Sequence, residues 1–164
     1  MQLLRTEVIL KSLIYKIVFF LCLTKGIYAF ETTADEISID SENGIYTLTG
    51  NAQAEENGKI FQANKIIVYK KDSEKRPSKI EAYGNVSYKE GDTSITSDDC
   101  ESDMEFVIFS KNVILKGPEF GIIHADKAKY NTKNKTMDIT SKKKVKLNLD
   151  KKLEAEFNEK NKKK

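Results

Sequence analysis

The chain has 164 residues, of which 32% are charged and 39% hydrophobic, with two cysteines and a single histidine. One histidine cannot build a multi-histidine metal centre. The formal charge of +3 hides a division: residues 30–141 sum to −6 and residues 142–164 to +6. An acidic body of this kind argues against nucleic acid as a partner.

Residues 1–29 read as a secretory signal peptide. Arg5, Lys11 and Lys16 form a basic region, Ile17-Val18-Phe19-Phe20-Leu21-Cys22-Leu23 is a short apolar run, and Ala29 ends a cleavage site. The run between Lys16 and Lys25 is far shorter than the about 20 residues of a membrane span. Export is the expectation. Past Ala29 only Cys100 remains, so no disulfide within the domain is available, and a small buried thiol is expected.

Residues 30–149 read as one β domain. Ile37 and Ile39 alternate with Glu36, Ser38 and Asp40, which is the period of a half-buried strand. Asn43-Gly44 and Asn57-Gly58 are hairpin signals. Leu48, Ala52 and Ala54 continue the alternation, and so do Ile66, Val68, Ile80, Ala82, Val86 and Tyr88. Ile95, Phe106, Ile108, Val113, Leu115, Ile122, Tyr130, Met137, Ile139, Val145 and Leu147 carry it to the end. The alternation breaks parity at Ile66-Ile67, Phe109 and Ile122-Ile123, as a bulge would make it do. Asp72 to Ser78, Gly117-Pro118 and Asn131 to Lys135 read as loops and turns. Leu153 to Phe157 is the one candidate for a short helix. Residues 150–164 form a Lys-rich tail expected to be disordered.

A two-part phrase recurs through the body. Gly50-Asn51-Ala52, Gly84-Asn85-Val86 and Lys111-Asn112-Val113 are one half, with Lys111 where the other copies have Gly. Ala34-Asp35, Ala63-Asn64, Ser97-Asp98 and Ala125-Asp126 are the other. Gly and Asn tolerate left-handed backbone, and Asp or Asn can tie a corner by hydrogen bonding. Corners at regular intervals would fold a sheet over itself into two facing layers with an apolar trough between them.

No catalytic constellation is present. His124 has no nucleophile beside it, and glycine-rich phosphate loops and nucleophile elbows are absent, so nothing here suggests an enzyme. Asp98, Asp99, Glu101, Asp103 and Glu105 lack the central glycine and spacing of a calcium loop and read as the wet side of a strand. No cofactor is expected.

Ala34-Asp35 through Asn43-Gly44, then Leu48-Thr49-Gly50-Asn51-Ala52, then Gln62-Ala63-Asn64-Lys65-Ile66-Ile67-Val68 resemble the opening of the OstA-like family of periplasmic lipopolysaccharide-transport proteins. Gly84-Asn85-Val86 and His124-Ala125-Asp126-Lys127-Ala128 are similar to later turns of the same pattern, so the likeness spans about residues 34–149. The resemblance implies an all-β, elongated, twisted β-jelly roll, an open-ended two-layer sheet of antiparallel strands. It implies a non-enzymatic carrier of lipopolysaccharide (lipid A) between the inner and outer membranes. Its partners would be the jelly-roll domains of inner- and outer-membrane transport proteins, with head-to-tail joining of copies. The expected acyl-chain contacts are Ile39, Leu48, Ile66, Val68, Val86, Phe106, Ile108, Val113, Leu115, Ile122 and Tyr130. Two other readings are a membrane-anchored jelly-roll partner of the same pathway and a ligand-free structural protein of the envelope.

Overall fold

The computed structural model describes residues 31–70, 77–103, 105–134 and 136–149. The expected signal peptide, most of the 72–78 loop, the 153–157 helix and the Lys-rich tail lie outside the described residues. Among the described residues ten antiparallel strands follow one another: β1 (Glu31–Thr33), β2 (Glu36–Asp40), β3 (Ile45–Glu56), β4 (Lys59–Tyr69), β5 (Lys79–Glu90), β6 (Thr93–Asp103), β7 (Phe106–Gly117), β8 (Gly121–Asn131), β9 (Thr136–Thr140) and β10 (Lys146–Asn148). The long strands β3 to β8 each pair with the strand next in sequence. β1 and β2 together make the strand before β3, since β1 lies against residues 53–55 and β2 against residues 45–49. β9 and β10 do the same after β8, against residues 127–131 and 122–124.

Every long strand is bent near its middle, and the repeated phrase is the bend. Between β3 and β4 the register passes from Thr49↔Lys65 to Ala52↔Ala63, so Gly50 and Asn51 face Asn64 alone. Between β5 and β6, Gly84 and Asn85 face Asp98; between β7 and β8, Lys111 and Asn112 face Asp126. Two residues against one is a β-bulge, which kinks a ladder without ending it. Gly50, Asn51, Gly84, Asn85, Lys111 and Asn112 all have positive φ, from 47° to 74°. The Asn side chain then reaches back one strand: Asn51 Nδ2 donates to Asp35 Oδ2 at 3.0 Å, Asn85 Nδ2 to Asn64 Oδ1 at 3.3 Å, and Asn112 Nδ2 to Asp98 Oδ2 at 2.8 Å. At the last corner Asp126 Oδ2 accepts the Ser141 hydroxyl at 2.9 Å and the Lys142 amide at 2.6 Å. Those bonds hold the Asp126 carboxyl below the usual range, the Lys142 amide contributing most.

The bends divide each strand between two layers. One layer contains β2, β9 and residues 45–49, 65–69, 79–83, 99–103, 106–110 and 127–131 of the long strands. The other contains β1, β10 and residues 52–56, 59–63, 86–90, 93–97, 113–117 and 121–125. Their inner faces form one hydrophobic cluster, with Leu48, Ile66, Phe109 and Tyr130 from the first layer and Phe61, Val86, Tyr88, Ile95, Val113 and Leu115 from the second. Burying one such side chain is worth about 1.5–3 kcal/mol, against about 0–1 kcal/mol for an exposed ion pair. This shared interior therefore dominates the stability of the fold. Cys100 lies in it, as expected, and burial pushes its thiol well up, leaving no reactive thiolate at neutral pH.

Candidate functional site: the apolar interior and its two ends

The bends also set which side chains point inward. On β3, β5 and β7 the inward positions flanking the corner are four residues apart: Leu48 and Ala52, Ala82 and Val86, Phe109 and Val113. On β4, β6 and β8 they are three apart: Ala63 and Ile66, Ser97 and Cys100, Ala125 and Ala128. The shorter step is the one-residue side of each bulge, and it reverses strand parity. The break at Ile66-Ile67 expected from the sequence has this origin.

Of the expected contact residues, Leu48, Ile66, Val86, Val113, Leu115 and Tyr130 are buried on the inner face. Val68 packs against them from the same face. Ile39 lies opposite Tyr46, and Ile37 opposite Leu48. Cross-strand partners share a face, so Ile39 is inward-facing, yet on the edge strand it stays 61% exposed. Three positions need correction. Phe106 and Ile108 alternate with inward Val107 and Phe109 and occupy the outer face, where the Lys129 ammonium stands 3.7 Å from the Phe106 ring centre. Ile122 alternates with Gly121, Ile123 and Ala125 and also points outward. All three lie on strands where residues of both faces are apolar, so alternation alone does not choose between them. The four-residue and three-residue corner steps do choose, and would have placed Val107, Phe109 and Ile123 inward.

The interior is closed along its middle and open at its ends. From β3 to β8 the inner-face residues cover one another, many at 0–8% exposure. Among the described residues, no strand pairs with the outer side of the edge strands. At the N-terminal end Ile37 and Ile39 stand at 53% and 61% exposure; at the C-terminal end Leu147, opposite Ile123, stands at 55%. Val145 and Leu149, two residues to either side of Leu147, are 41% and 37% exposed. A pocket of about 410 Å³ lies at this end too, lined by Asp92, Lys116, Gly117, Pro118, Gly121, Ile122, Asn148 and Leu149. A Cβ on Gly121 would collide with the Asn148 carbonyl oxygen, so glycine here lets the last strand approach.

The ends differ in charge. Residues 31–44 contain Glu31, Asp35, Glu36, Asp40 and Glu42 and no lysine or arginine. Asp40 sits below its usual range because the Asn43 side chain and amide donate to it. Residues 141–149 contain Lys142, Lys143, Lys144 and Lys146 and no carboxylate side chain. Elsewhere the acidic side chains are largely engaged. Lys79 bridges Glu81 at 2.7 Å and Glu101 at 3.0 Å, Tyr69 donates to Glu81 at 2.9 Å, and Lys111 meets Asp99 at 2.6 Å. Asp103 closes the β6–β7 turn by accepting the Glu105 and Phe106 amides. His124 lies on the outer face, paired with Ile114 and Lys146.

Comparison with known proteins agrees with this geometry. Residues 28–75 match the family model for LptA/(LptD N-terminal domain) LPS transport protein. The crystal structure of LptH, the LptA-homologous periplasmic component of the conserved lipopolysaccharide transport device from Pseudomonas aeruginosa, superposes with a TM-score of 0.62 at 10% identity, covering 75% of this chain and 96% of that one. No curated protein matches the sequence. The likeness to LptH shows the fold, an open, all-antiparallel β-jelly roll. The family match covers the first corner and its neighbours, where the resemblance in the sequence is densest.

Proposed function

We propose that this OstA-like chain is a periplasmic lipopolysaccharide-binding carrier, a non-enzymatic segment of a bridge between the inner and outer membranes. The observation that carries the reading is an apolar interior shared by two sheet layers, whose inner-face side chains become exposed at both ends. Acyl chains entering at Ile37 and Ile39, or at Val145 and Leu147, gain about 0.8 kcal/mol for each CH₂ removed from water. Passage along the middle requires the two layers to part, with acyl chains replacing the side-chain contacts that now close it. Unpaired sheet edges are templates for further strands. β2 and β9 on one layer, and β1 and β10 on the other, would continue into neighbouring jelly-roll domains, including other copies of this chain. The acidic N-terminal end and the basic C-terminal end favour head-to-tail order.

Photo-crosslinking in cells tests the carrier reading. A photoreactive residue at Leu115 or Ile37, both on the inner face, should give lipopolysaccharide adducts. One at Phe106, on the outer face, should give none. Absence of adducts at every inner position, or equal yield from both faces, would overturn the reading. N-terminal sequencing of the exported protein should find Phe30 first, and an intact Met1 would favour the membrane-anchored partner.

A further inference from the structure

The C-terminal end pairs an apolar row with a cationic one on a single segment. Leu147 faces the interior beside Ile123, with Val145 and Leu149 at the same spacing, while Lys146 pairs with His124 on the outer face. Lys142, Lys143 and Lys144 precede them in the connection between β9 and β10, all exposed. The connection between β9 and β10 takes residues 141–145 and displays three successive lysines beside the opening, whereas the matching connection between β1 and β2 is only residues 34–35 and carries Asp35. Asp126 accepts from the Ser141 hydroxyl and the Lys142 backbone amide, and Asp92 lines the pocket beside Asn148 and Leu149. The N-terminal end has the same apolar exposure at Ile37 and Ile39 but five acidic residues around it.

We infer that the C-terminal opening is a headgroup site. It takes the phosphate groups of an acylated, phosphorylated lipid on Lys142, Lys143 and Lys144 while an acyl chain lies along Val145 and Leu147. Apolar contact alone would make the two ends equivalent, and charge separates them. An anionic amphiphile is attracted at one opening and repelled at the other, and a plain anionic surface would leave the inward Leu147 row unused. The inference rests on the carrier reading and adds to it the place and polarity of headgroup binding.

The test measures binding of the full-length exported protein to diphosphorylated lipid A and to the same lipid stripped of both phosphates. The triple variant Lys142→Gln/Lys143→Gln/Lys144→Gln should weaken binding of the phosphorylated lipid about tenfold, a change in keeping with a few exposed charge pairs, and flatten its salt dependence. It should leave the stripped lipid unaffected. The control triple Lys65→Gln/Lys70→Gln/Lys89→Gln removes equal charge elsewhere and should change affinity less than about twofold. Equal loss in both triples, or no loss in the first, overturns the site. So does competition by millimolar inorganic phosphate, which would make it a site for the free anion. So does a triple variant that loses self-association by light scattering while holding the lipid as before, which would assign the lysines to the acidic end of another copy. If the unmodified protein binds neither lipid, the carrier reading itself fails. Thermal unfolding of each variant checks that the substitutions leave the fold intact.

Discussion

The corners of β3 and β5 and the corner of β7 make the same bend from different residues. In the first two, glycine takes the first left-handed position, with φ of 74° and 72°. In the third, Lys111 takes it at 63°. The glycine corners are also crowded: a Cβ on Gly50 would run into the Asp35 carboxylate, and one on Gly84 would sit 2.6 Å from Asn64 Nδ2. At β7 the bend accommodates a Cβ, and the lysine side chain turns outward to Asp99. The bend is therefore imposed by register and by the bond from the corner Asn to an Asp or Asn across strands. Glycine is needed where the neighbouring carboxylate or amide crowds the kink, and elsewhere it is only the least strained choice.

The largest effect that follows is at the crowded corner. Gly84→Val should destabilise by about 2–4 kcal/mol, combining an unfavourable left-handed backbone with a displaced Asn64, as read from the urea midpoint. A loss under half that size would mean that the glycine corners are no more constrained than the β7 corner. Next, Asn112→Ala removes the 2.8 Å bond to Asp98 and places alanine at φ 53°. An expected loss of about 1–2 kcal/mol would show that the side-chain tie matters where glycine is missing. Lys111→Gly should act in the opposite sense, raising the melting temperature by about 2–5 °C, because relief of left-handed strain outweighs one exposed ion pair. A fall would show that the Lys111–Asp99 pair holds the corner.

The smallest effect separates a titrating corner from a neutral one. Asp126 is held below the ordinary carboxylate value, chiefly by the Lys142 amide. Its bonds therefore contribute fully above the unfolded-state value of about 4 and are lost as pH falls through the lower folded value. The β4–β5 corner uses Asn64, which does not titrate. Asp126→Asn should flatten the decline of the urea midpoint between about pH 5 and pH 2, while Asn64→Asp should steepen it. Unchanged profiles in both variants would remove Asp126 as a source of acid sensitivity.

Much of this architecture was readable in the residues. Asn43-Gly44 and Asn57-Gly58 marked hairpins, the Gly-Asn phrase marked bends, and Cys100 was placed inside. What alternation could not resolve was the face of Phe106, Ile108 and Ile122, because β7 and β8 are apolar on both sides. The face depends on how many residues the bulge consumes in each strand, and that count is fixed by the cross-strand partner rather than by local sequence. The exposure of Ile37, Ile39 and Leu147 was equally hidden, since an edge residue and a central one share the same period. Their difference comes from whether a further strand covers them.

Because each long strand hydrogen-bonds to its immediate successor in the chain, the ribbon has, among the described residues, no closing pair that fixes its size. Excising or duplicating one down-and-up unit of two strands would shorten or extend the domain while leaving all remaining pairings intact. The number of such units is thus a free variable for the gene, and the distance one molecule spans can be tuned without redesigning its interior.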